Sequence, residues 1–563
     1  MESHNNPQSK RKRQRTISRR HLIGVTGAGL LGATLGVSPV GARVDGDGVL
    51  MPIGGGFEPE NERLHQEIID LGGGEDSISL AIMPTASGTP TTSAEAYRDD
   101  FVEYGVPEAQ IEIIEVATED DPNTDEDEST WIENADDEDW ADTVREANVI
   151  LFTGGNQLRI TEALKKDDGS LTAVAQAIQD VYDDGGAITG SSAGAAIMSD
   201  PMIGAGQSFG ALKDGVSYED TYFDDDDNRV FLTDGFEYLD EGLCDQHFMA
   251  RGRFGRLLRA MWHEDPNAGI ERNEIGYGVG ENTGFIFDPS DNTARVSGEY
   301  GVTIIDLSEA YEVDTGSDAL HLEDIIVHFL THGDVFHYDD GTVTHADEKD
   351  WNCIEDPYYS GNSDSSDLFA DNEIRDLMTE ELVDNTESSV GGTASVQGRD
   401  LEMEFWQDED TRGWWGRSYP EDDRGRYMVS NVRAAVWPDD RDHDDNGDDD
   451  DNGDDDDNGD DDDGDDNGET TEPTIDQFDV RRRSSGPWSR ATVDWAVSDD
   501  DGNLESVTTE LLANGTVLDY ETTSVSGSSA SGEHEPRTRD DPDTVRLTVI
   551  DEAGNETTDS KSY

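Results

Sequence analysis

The sequence predicts an α/β protein: a doubly wound, mostly parallel sheet, followed by an acidic linker and a small C-terminal β-sandwich. Between residues 49 and 345, short apolar runs of strand length alternate with stretches of helical periodicity, which is the pattern of consecutive βαβ units. A run of Asp, Asn and Gly then interrupts the chain. Beyond it, short β-branched runs recur at turn-like spacing, as they do in sandwich domains.

Apolar periodicity in the α/β region predicts the following strands and helices. Strands are predicted at 49–53, 78–83, 111–116, 149–152 and at the apolar pair Ala187-Ile188. Helices are predicted at 60–71, 94–104, 158–164 and 171–182, with an acidic insertion at 118–139. Ligands of open sheets bind beyond the carboxyl ends of the strands, so we expect the glycine-rich turns there to line one crevice.

Composition divides the chain into four segments. They are an export signal at 1–42, an α/β domain at 43–438 (motif-bearing core 50–345, extension 346–438), an Asp-rich disordered linker at 439–468 and a β domain at 469–563. The linker repeats Asp-Asp-Asn-Gly but lacks the closing Glu of a calcium loop, so a diffuse cation cloud is favoured over specific calcium binding. The sequence predicts that the β domain is an immunoglobulin-like sandwich, and it shows no catalytic cluster there. We expect this domain to act as a spacer or as a module that contacts the cell surface.

The first 42 residues have the features of a twin-arginine signal peptide. A basic stretch precedes Arg19-Arg20, a weakly apolar, Gly-rich stretch follows, and Val40-Gly41-Ala42 suits cleavage. The sequence therefore predicts a secreted or cell-surface protein. An uncleaved membrane anchor is the alternative, although the apolar stretch is short and weakly hydrophobic. We expect no membrane span after removal of the signal.

The net charge of −92 comes from 131 acidic and 39 basic residues, of which seven are Lys. A surface of this kind repels nucleic acid and anionic lipid, so neither is expected as a partner. The same charge destabilises a fold by self-repulsion unless salt screens it. We therefore expect a halophilic protein.

A candidate nucleophile lies in Gly190-Ser191-Ser192-Ala193-Gly194, between an apolar run and an Ala-rich helix. G-x-S-x-G at a strand-to-helix turn is typical of a nucleophile elbow, which presents the central Ser192 above the sheet. Glycines suit this turn because a larger side chain would collide where the backbone doubles back. A tight turn without chemistry is the alternative interpretation of the same pattern.

A candidate base follows in Asp245-Gln246-His247, which leaves a strand-like run and opens a predicted helix at 247–261. Four arginines follow on that helix: Arg251, Arg253, Arg256 and Arg259. On a helix, His247 and Arg251 would share a face. We interpret the cluster as a cationic wall that holds a substrate carboxylate beside the base; surface salt bridging to the acidic shell is the alternative.

Glu281 is the candidate for orienting the base, because it follows a predicted strand at 275–279 and the close-packing glycines Gly278 and Gly280. An acid in so acidic a chain is more commonly solvated surface.

Three histidines give a rival hypothesis. His328, His332 and His337 are candidate zinc ligands, but no glutamate lies between the first two as H-E-x-x-H requires. The residues alone leave open whether Cys244 and Cys353 pair.

Four motifs together resemble peptidase family S51, the cyanophycinase-like serine peptidases. They are Phe152-Thr153-Gly154-Gly155-Asn156-Gln157, Gly190-Ser191-Ser192-Ala193-Gly194-Ala195, Asp245-Gln246-His247-Phe248 with Arg251-x-Arg253-x-x-Arg256, and Gly276-Tyr277-Gly278-Val279-Gly280-Glu281. The resemblance covers about residues 50–345 in the family's order. It implies a class I glutamine-amidotransferase-like fold and hydrolysis of peptides at aspartyl residues, as in the cleavage of multi-arginyl-polyaspartate to β-aspartyl-arginine.

The resemblance also implies roles for individual residues, with no metal and no cofactor. They are Ser192 as nucleophile, His247 as general base and acid, Glu281 as orienting acid, the amides of Gly155 and Ala193 as oxyanion hole, and Gln157, Asp245, Gln246, Arg251, Arg253 and Arg256 as substrate pocket. This chain departs from the family pattern at Asn156, Ser191 and Gly280, where Asp, Thr and Asp are usual. These departures leave the triad intact and bear on the identity of the substrate.

Two functional hypotheses follow. The first is a secreted serine-type peptidase that acts on aspartyl or β-aspartyl peptides, with a homodimer as a possible assembly. The second is a non-catalytic cell-surface protein that binds carboxylates or peptides in the same crevice.

Overall fold

The computed structural model describes residues 48–438 and 473–562, with short gaps. The gaps are 167, 219–227, 240–241, 266–269, 271, 314–318, 339, 397–398, 418–425, 486–487, 500–503, 514–515, 526, 535, 539–541, 543 and 552–554. The predicted signal at 1–42 and the linker at 439–468 lie outside the described residues. The chain forms two compact units, the first ending at Asn446 and the second beginning at Gly447.

The first unit begins with five parallel strands, in the spatial order β3-β2-β4-β5-β1. They are β1 (Val49–Ile53), β2 (Leu80–Met83), β3 (Ile111–Ile113), β4 (Val149–Phe152) and β5 (Ala187–Ser191). The helices are α1 (Glu62–Leu71), α2 (Pro90–Glu103), α3 (Glu138–Arg145), α4 (Gln157–Leu164), α5 (Ala173–Asp183) and α6 (Ala193–Ala196), with 3₁₀ turns at Glu108–Gln110 and Glu128–Asp136.

Helices cover both faces of these strands, which is why the strands read as continuous apolar runs. On β1, Leu50 packs into one hydrophobic cluster with residues of α3, α4 and α5. The adjacent Met51 points to the opposite face and packs with residues of α1 and α2. This alternation places the carboxyl ends of the strands, with their polar turns, at one open edge.

The rest of the first unit consists mainly of antiparallel strands. They are β6 (Met202–Ala205), β7 (Val216–Ser217), β8 (Val230–Thr233), β9 (Leu243–Asp245), β10 (Ile275–Val279), β11 (Thr283–Asp288), β12 (Thr293–Gly298), β13 (Gly301–Asp306), β14 (Tyr311–Glu312), β15 (Leu322–Thr331), β16 (Val335–His337), β17 (Thr342–Thr344), β18 (Trp351–Asn352), β19 (Ser389–Val396), β20 (Arg399–Trp406), β21 (Arg412–Gly416) and β22 (Arg426–Pro438). The remaining helices are α7 (Ser208–Asp214), α8 (Phe254–Met261) and α9 (Glu373–Met378), with a 3₁₀ turn at Met249–Arg251 and a π turn at Thr379–Val383.

The prediction of a mostly parallel sheet needs correction. Beyond β1, the first sheet continues with β11, β12, β16 and β17, all paired antiparallel. A second sheet runs β18-β21-β22-β15-β13-β10-β9, and among these neighbours β10 and β9 are parallel while the other pairs are antiparallel. Short turns join β11 to β12 and β16 to β17, and a short turn can only return the chain antiparallel. The fold is therefore mixed α/β with a parallel half.

The second sheet joins residues 346–438 to the strands that lead into the predicted site. Strand β22 pairs with β15, β15 with β13, and β13 with β10. The side chains on one face share a hydrophobic cluster with α8, including Phe254 and Phe405. The extension is thus continuous in hydrogen bonding with β9 and β10.

The second unit is β-rich. Its strands are β23 (Thr474–Ser485), β24 (Trp488–Ser498), β25 (Leu504–Ala513), β26 (Thr516–Ser524), β27 (Ser529–His534), β28 (Arg537–Thr538), β29 (Thr544–Asp551) and β30 (Glu556–Ser562). They form one sheet around β24 and another in the order β26-β25-β29-β30. Residues of both sheets, such as Trp495 and Leu511, share one core. The immunoglobulin-like assignment stays a prediction.

No helix within the described residues is both long enough and apolar enough to cross a bilayer.

A buried ion pair joins the turn after β15 to the segment before β18. Lys349 and Asp334 have fully buried side chains, and the Lys349 ammonium lies 2.5 Å from the carboxylate. Lys349 also donates to the Thr331 hydroxyl at 2.7 Å, while Asp334 accepts the backbone amides of Thr331 and Ala346. Each charge is therefore neutralised and hydrogen-bonded, as burial requires.

We predict that Asp334→Ala lowers the free energy of unfolding by about 3–5 kcal/mol, because it leaves a buried ammonium without its counter-charge. The measurement is denaturant unfolding in molar salt. The matched control is Asp142→Ala, which removes an exposed carboxylate 3.0 Å from Arg145 and should cost about 1 kcal/mol or less. Equal effects of the two substitutions would contradict the prediction.

Candidate active site

Ser192 lies in a sharp turn between β5 and α6. Its backbone has φ 53° and ψ −104°, a conformation that side chains rarely adopt. A Cβ at Gly190 would come within 2.7 Å of the Gly194 backbone, and a Cβ at Gly194 within 2.7 Å of Phe152. Glycine is therefore required on both sides of the turn, as the G-x-S-x-G pattern predicts. The amide of Ser192 donates to the carbonyl of Ile53 at 2.9 Å, which ties the turn to the end of β1.

His247 lies in the turn that follows β9, and it too has a left-handed backbone, with φ 47°. Its amide donates to the carbonyl of Gly54 at 2.6 Å. A Cβ at Gly55 would lie 2.2 Å from the imidazole ring, so only glycine leaves room for the ring. The Gly54-Gly55-Gly56 turn, predicted only to line a crevice, thus contacts the base directly.

The predicted helix at 247–261 is wrong in its first half. Met249–Arg251 forms a 3₁₀ turn, Gly252 is left-handed with φ 54°, and α8 begins only at Phe254. A left-handed residue stops the i to i+4 ladder, so His247 and Arg251 do not share a helix face. A 3₁₀ turn and a separate helix, which pack on the same hydrophobic cluster, thus replace the single predicted helix.

Glu281 follows β10 after one intervening residue, Gly280. The next residue, Asn282, has a left-handed backbone (φ 49°). Its backbone N–H donates to the carbonyl of Gly55 at 2.7 Å. The Asn282 side chain accepts from the amide of Glu58 and from Asn61, which caps α1. These bonds fix Glu281 beside the Gly54-Gly55-Gly56 turn.

The structure brings Ser192, His247 and Glu281 into one series of contacts. Nε2 of His247 lies 2.9 Å from Oγ of Ser192, and Nδ1 lies 2.5 Å from Oε1 of Glu281. The Ser192 hydroxyl also lies 3.4 Å from Oε1 of Gln246. The hydroxyl, imidazole and carboxylate are thus ordered as a proton-transfer series requires.

The surroundings favour the neutral form of the imidazole. Burial lowers the pKa of His247 below its ordinary value, and the charges of Arg251 and Arg253 lower it further, while the hydrogen bond and charge of Glu281 raise it. A neutral imidazole whose Nδ1–H donates to a carboxylate leaves Nε2 free to accept a proton.

The predicted oxyanion-hole residues flank Ser192. Ala193 begins α6, so its amide has no partner within that helix. Gly155 is left-handed (φ 143°) and a Cβ there would lie 2.0 Å from the carbonyl of Ala86. A Cβ at the adjacent Gly154 would lie 3.6 Å from the Cβ of Ser192, so the β4–α4 turn lies against the nucleophile.

Several predicted substrate-pocket residues bind other parts of the protein. Arg256 makes a bidentate pair with the buried Asp245, at 2.6 and 2.8 Å, and donates to the carbonyl of Gly206. The side-chain amide of Gln157 donates to the carbonyls of Ile203 and Gly204. These partners lie far away in the sequence, so no local pattern could reveal them.

Two arginines remain beside His247. Arg253 donates to the backbone carbonyl of Gln246 at 2.6 Å and is mostly buried. Arg251 is exposed. The cationic surface predicted from four arginines is thus smaller, because Arg256 pairs with Asp245 and Arg253 lies 3.9 Å from the same carboxylate.

The zinc hypothesis finds no support in the geometry. His328 lies within β15, not on a helix, and burial lowers its pKa and that of His332 to about 4. His337 contacts Thr344. In the described part of the chain, no group of three His, Cys, Asp or Glu side chains is arranged to hold a metal ion. Cys244 and Cys353 are both buried and unpaired with each other.

Comparison with known proteins supports one family. Peptidase family S51 matches residues 50–218, a stretch that contains Ser192 but ends before His247 and Glu281. Cyanophycinase of Synechococcus elongatus is 27% identical over 303 residues, which cover 53% of this chain and 81% of the relative. Cyanophycinase of Geminocystis herdmanii is 28% identical over 290 residues, covering 50% and 90%. A peptidase from an acI-B1 actinobacterium aligns at 20% identity and a TM-score of 0.33, covering 52% of this chain and 97% of its own.

We predict that His247 titrates below its ordinary pKa and that two substitutions move it in opposite directions. Arg251→Ala removes a positive charge and should raise the pKa, whereas Glu281→Gln removes the stabilising carboxylate and should lower it. NMR titration of ¹³C-labelled histidines measures both.

The control is Arg259→Ala. The charge of Arg259 lowers the pKa of His263, so this variant should raise the His263 pKa and leave that of His247 unchanged. If Arg251→Ala and Arg259→Ala moved His247 equally, the local electrostatic explanation would fail.

Proposed function

The chain belongs to peptidase family S51 as a relative of the cyanophycinases, and from this premise we propose that it is a serine-type peptidase with Ser192 as its nucleophile. The observation that supports the proposal is the contact series from the Ser192 hydroxyl, through His247, to Glu281, at 2.9 and 2.5 Å. A serine is a weak nucleophile until a base accepts its proton and a third group orients that base.

In the proposed reaction, Nε2 of His247 takes the Ser192 proton as Oγ attacks the amide carbonyl. The imidazolium is stabilised by Glu281, and the tetrahedral oxyanion is bound by the amides of Gly155 and Ala193. His247 then protonates the leaving amine, and the C–N bond breaks to give an acyl-enzyme. Water, deprotonated by the same imidazole, releases the acid and regenerates Ser192. No metal or cofactor takes part in these steps.

We assign the substrate to peptides with a carboxylate near the scissile amide, namely aspartyl or β-aspartyl peptides such as β-aspartyl-arginine. Arg251 and Arg253 support this assignment, because both charges act on His247 from close by and guanidinium groups bind carboxylates well. We assign Asp245 and Arg256 a supporting role. Arg256 fixes the Asp245 carboxylate, and this carboxylate accepts a hydrogen bond from the backbone N–H of Gln246. Gln157 and Gln246 remain proposed substrate contacts.

The remaining parts of the proposal concern location. We propose that the signal at 1–42 directs export by the twin-arginine route to a saline exterior, and that the β domain, as an immunoglobulin-like sandwich beyond the linker, contacts the cell surface. The charge of −92 supports a halophilic setting.

We predict that Ser192→Ala lowers kcat on an aspartyl peptide by about 10⁴-fold or more, because the covalent step is lost. It should also abolish labelling by a fluorophosphonate probe in molar salt. Peptide mass mapping of the labelled protein identifies the residue.

The matched control is Ser191→Ala. Ser191 directly precedes Ser192 and is buried, and its hydroxyl is hydrogen-bonded to Tyr97. Loss of this hydroxyl should leave labelling intact. Peptide binding without labelling or turnover would instead favour a non-catalytic carboxylate- or peptide-binding protein.

The substrate assignment predicts a specific order of activity. Purified protein in high salt is offered multi-arginyl-polyaspartate, β-aspartyl-arginine, an α-aspartyl dipeptide and the corresponding asparaginyl dipeptide, and products are identified by mass. The arginines should favour the aspartyl over the asparaginyl substrate by tenfold or more, since a lost charge-assisted pair is worth about 1.5–3 kcal/mol. Equal rates on both dipeptides would overturn the assignment while leaving the peptidase proposal intact.

A further inference from the structure

The turn that carries His247 needs support from outside itself. Within six residues it contains two left-handed positions, His247 and Gly252, with φ of 47° and 54°. A non-glycine residue held in this region costs about 1–2 kcal/mol. Such a conformation persists only where the surroundings over-determine it. On one side the Gly54 carbonyl holds the His247 amide.

The extension contacts the opposite end of the same turn. The amide of Asn372 donates to the carbonyl of Met249 at 2.8 Å. The carbonyl of Phe369 lies close to Gly252: a Cβ added to Gly252 would be 2.0 Å from the Phe369 carbonyl oxygen. The turn Phe369–Asn372, here called the brace, therefore fits against Met249 and Gly252 with no spare room.

The brace is anchored in the second sheet, whose strands β9 and β10 precede His247 and Glu281. Leu368 is fully buried and its amide donates to the carbonyl of Thr393 in β19, at 3.0 Å. From β19, backbone pairing runs through β20, β22, β15 and β13 to β10, which ends next to Glu281. The brace and the orienting acid are thus attached to one hydrogen-bonded framework.

Glu281 is the member of the Glu281–His247 pair that faces a cavity. Glu281 borders a cavity of about 390 Å³ whose walls include Met249, Asp371 and Tyr300. The Glu281 side chain remains 35% exposed. The carboxylate therefore has open space on this side, whereas the His247 ring is mostly buried and fits closely against Gly55. The backbone turns that carry the two residues thus contribute to keeping them in contact.

We propose that the brace is a positioning element that holds the turn after β9 so that His247 spans Ser192 and Glu281. The proposal rests on the proposed peptidase function. It assigns residues 346–438 a part in catalysis, although the family match ends at residue 218.

The first test is Gly252→Ala, which forces a clash with the Phe369 carbonyl and displaces the brace. The expected result is a fall in kcat of about 10²-fold, the usual cost of a misplaced catalytic group, with KM changed less than twofold. Gly361→Ala is the matched control, since it has a similar φ of 74° but nothing within 4 Å of the added Cβ. Active-site titration separates unfolded protein from slower turnover by folded protein.

The second test breaks the brace without touching the His247 turn. Asn372→Pro removes the amide that binds Met249 and cannot adopt the left-handed φ of 60°, whereas Asn372→Gly keeps both. We expect kcat to fall in the Pro variant and to stay within twofold in the Gly variant. If Gly252→Ala does not fold, the comparison of kcat between Asn372→Pro and Asn372→Gly still tests whether the brace positions His247. Parent-like kcat in both Gly252→Ala and Asn372→Pro would overturn the proposal.

The pKa of His247 gives a readout that does not need turnover. Glu281 raises this pKa while Arg251 and Arg253 lower it, so a ring that moves away from Glu281 should titrate lower in Asn372→Pro than in Asn372→Gly. An unchanged pKa would count against the brace. If Ser192→Ala kept full activity, the proposed function would fail, and the NMR result would still decide whether the brace positions His247.

Discussion

The site depends on three consecutive backbone carbonyls at the end of β1. The carbonyl oxygens of residues 53–55 accept hydrogen bonds from the amides of Ser192, His247 and Asn282, at 2.9, 2.6 and 2.7 Å. These three amides come from segments that are 55 and 35 residues apart, yet each is fixed to the same short turn. The relative positions of hydroxyl, imidazole and carboxylate therefore depend on the conformation of this one turn. Backbone bonds do this more rigidly than contacts between flexible side chains.

This constraint explains both the glycines and the strain around the site. A Cβ on Gly54 would lie 2.0 Å from the carbonyl of Gly280, and one on Gly55 would overlap the His247 ring. Ser192, His247 and Asn282 all have positive φ, so each is held away from its preferred backbone region. Strain of about 1–3 kcal/mol at each such residue is typical of functional sites. The ends of β1 and β10 lie close together here, since a Cβ on Gly54 would also come within 2.3 Å of the carbonyl of Val279.

Sequence patterns identified the groups of the site but not how they are held. The G-x-S-x-G turn and the strand before Glu281 follow from local sequence, since steric rules act on neighbouring residues. The error at 247–261 arose because Gly252 fits the middle of a helix by periodicity, while its contact with Phe369 is a tertiary effect. The Asp245–Arg256 pair was equally hidden, because a charged pair eleven residues apart has no local signature. The antiparallel half of the first sheet was missed for a related reason: apolar runs show that strands exist, not which way their neighbours run.

The charge distribution determines how the site responds to salt. The chain carries −92 overall, yet Arg251, Arg253 and Arg256 lie within a few residues of His247. In dilute buffer the Debye length is about 10 Å or more, so the acidic surface would repel an anionic substrate before these arginines could attract it. In molar salt that length shrinks to about 3 Å, and only contacts at hydrogen-bond distance keep their strength. Mostly buried pairs such as Arg253 with Gln246 are screened least. A site built from short, desolvated contacts on backbone-fixed turns is therefore weakened little by concentrated salt.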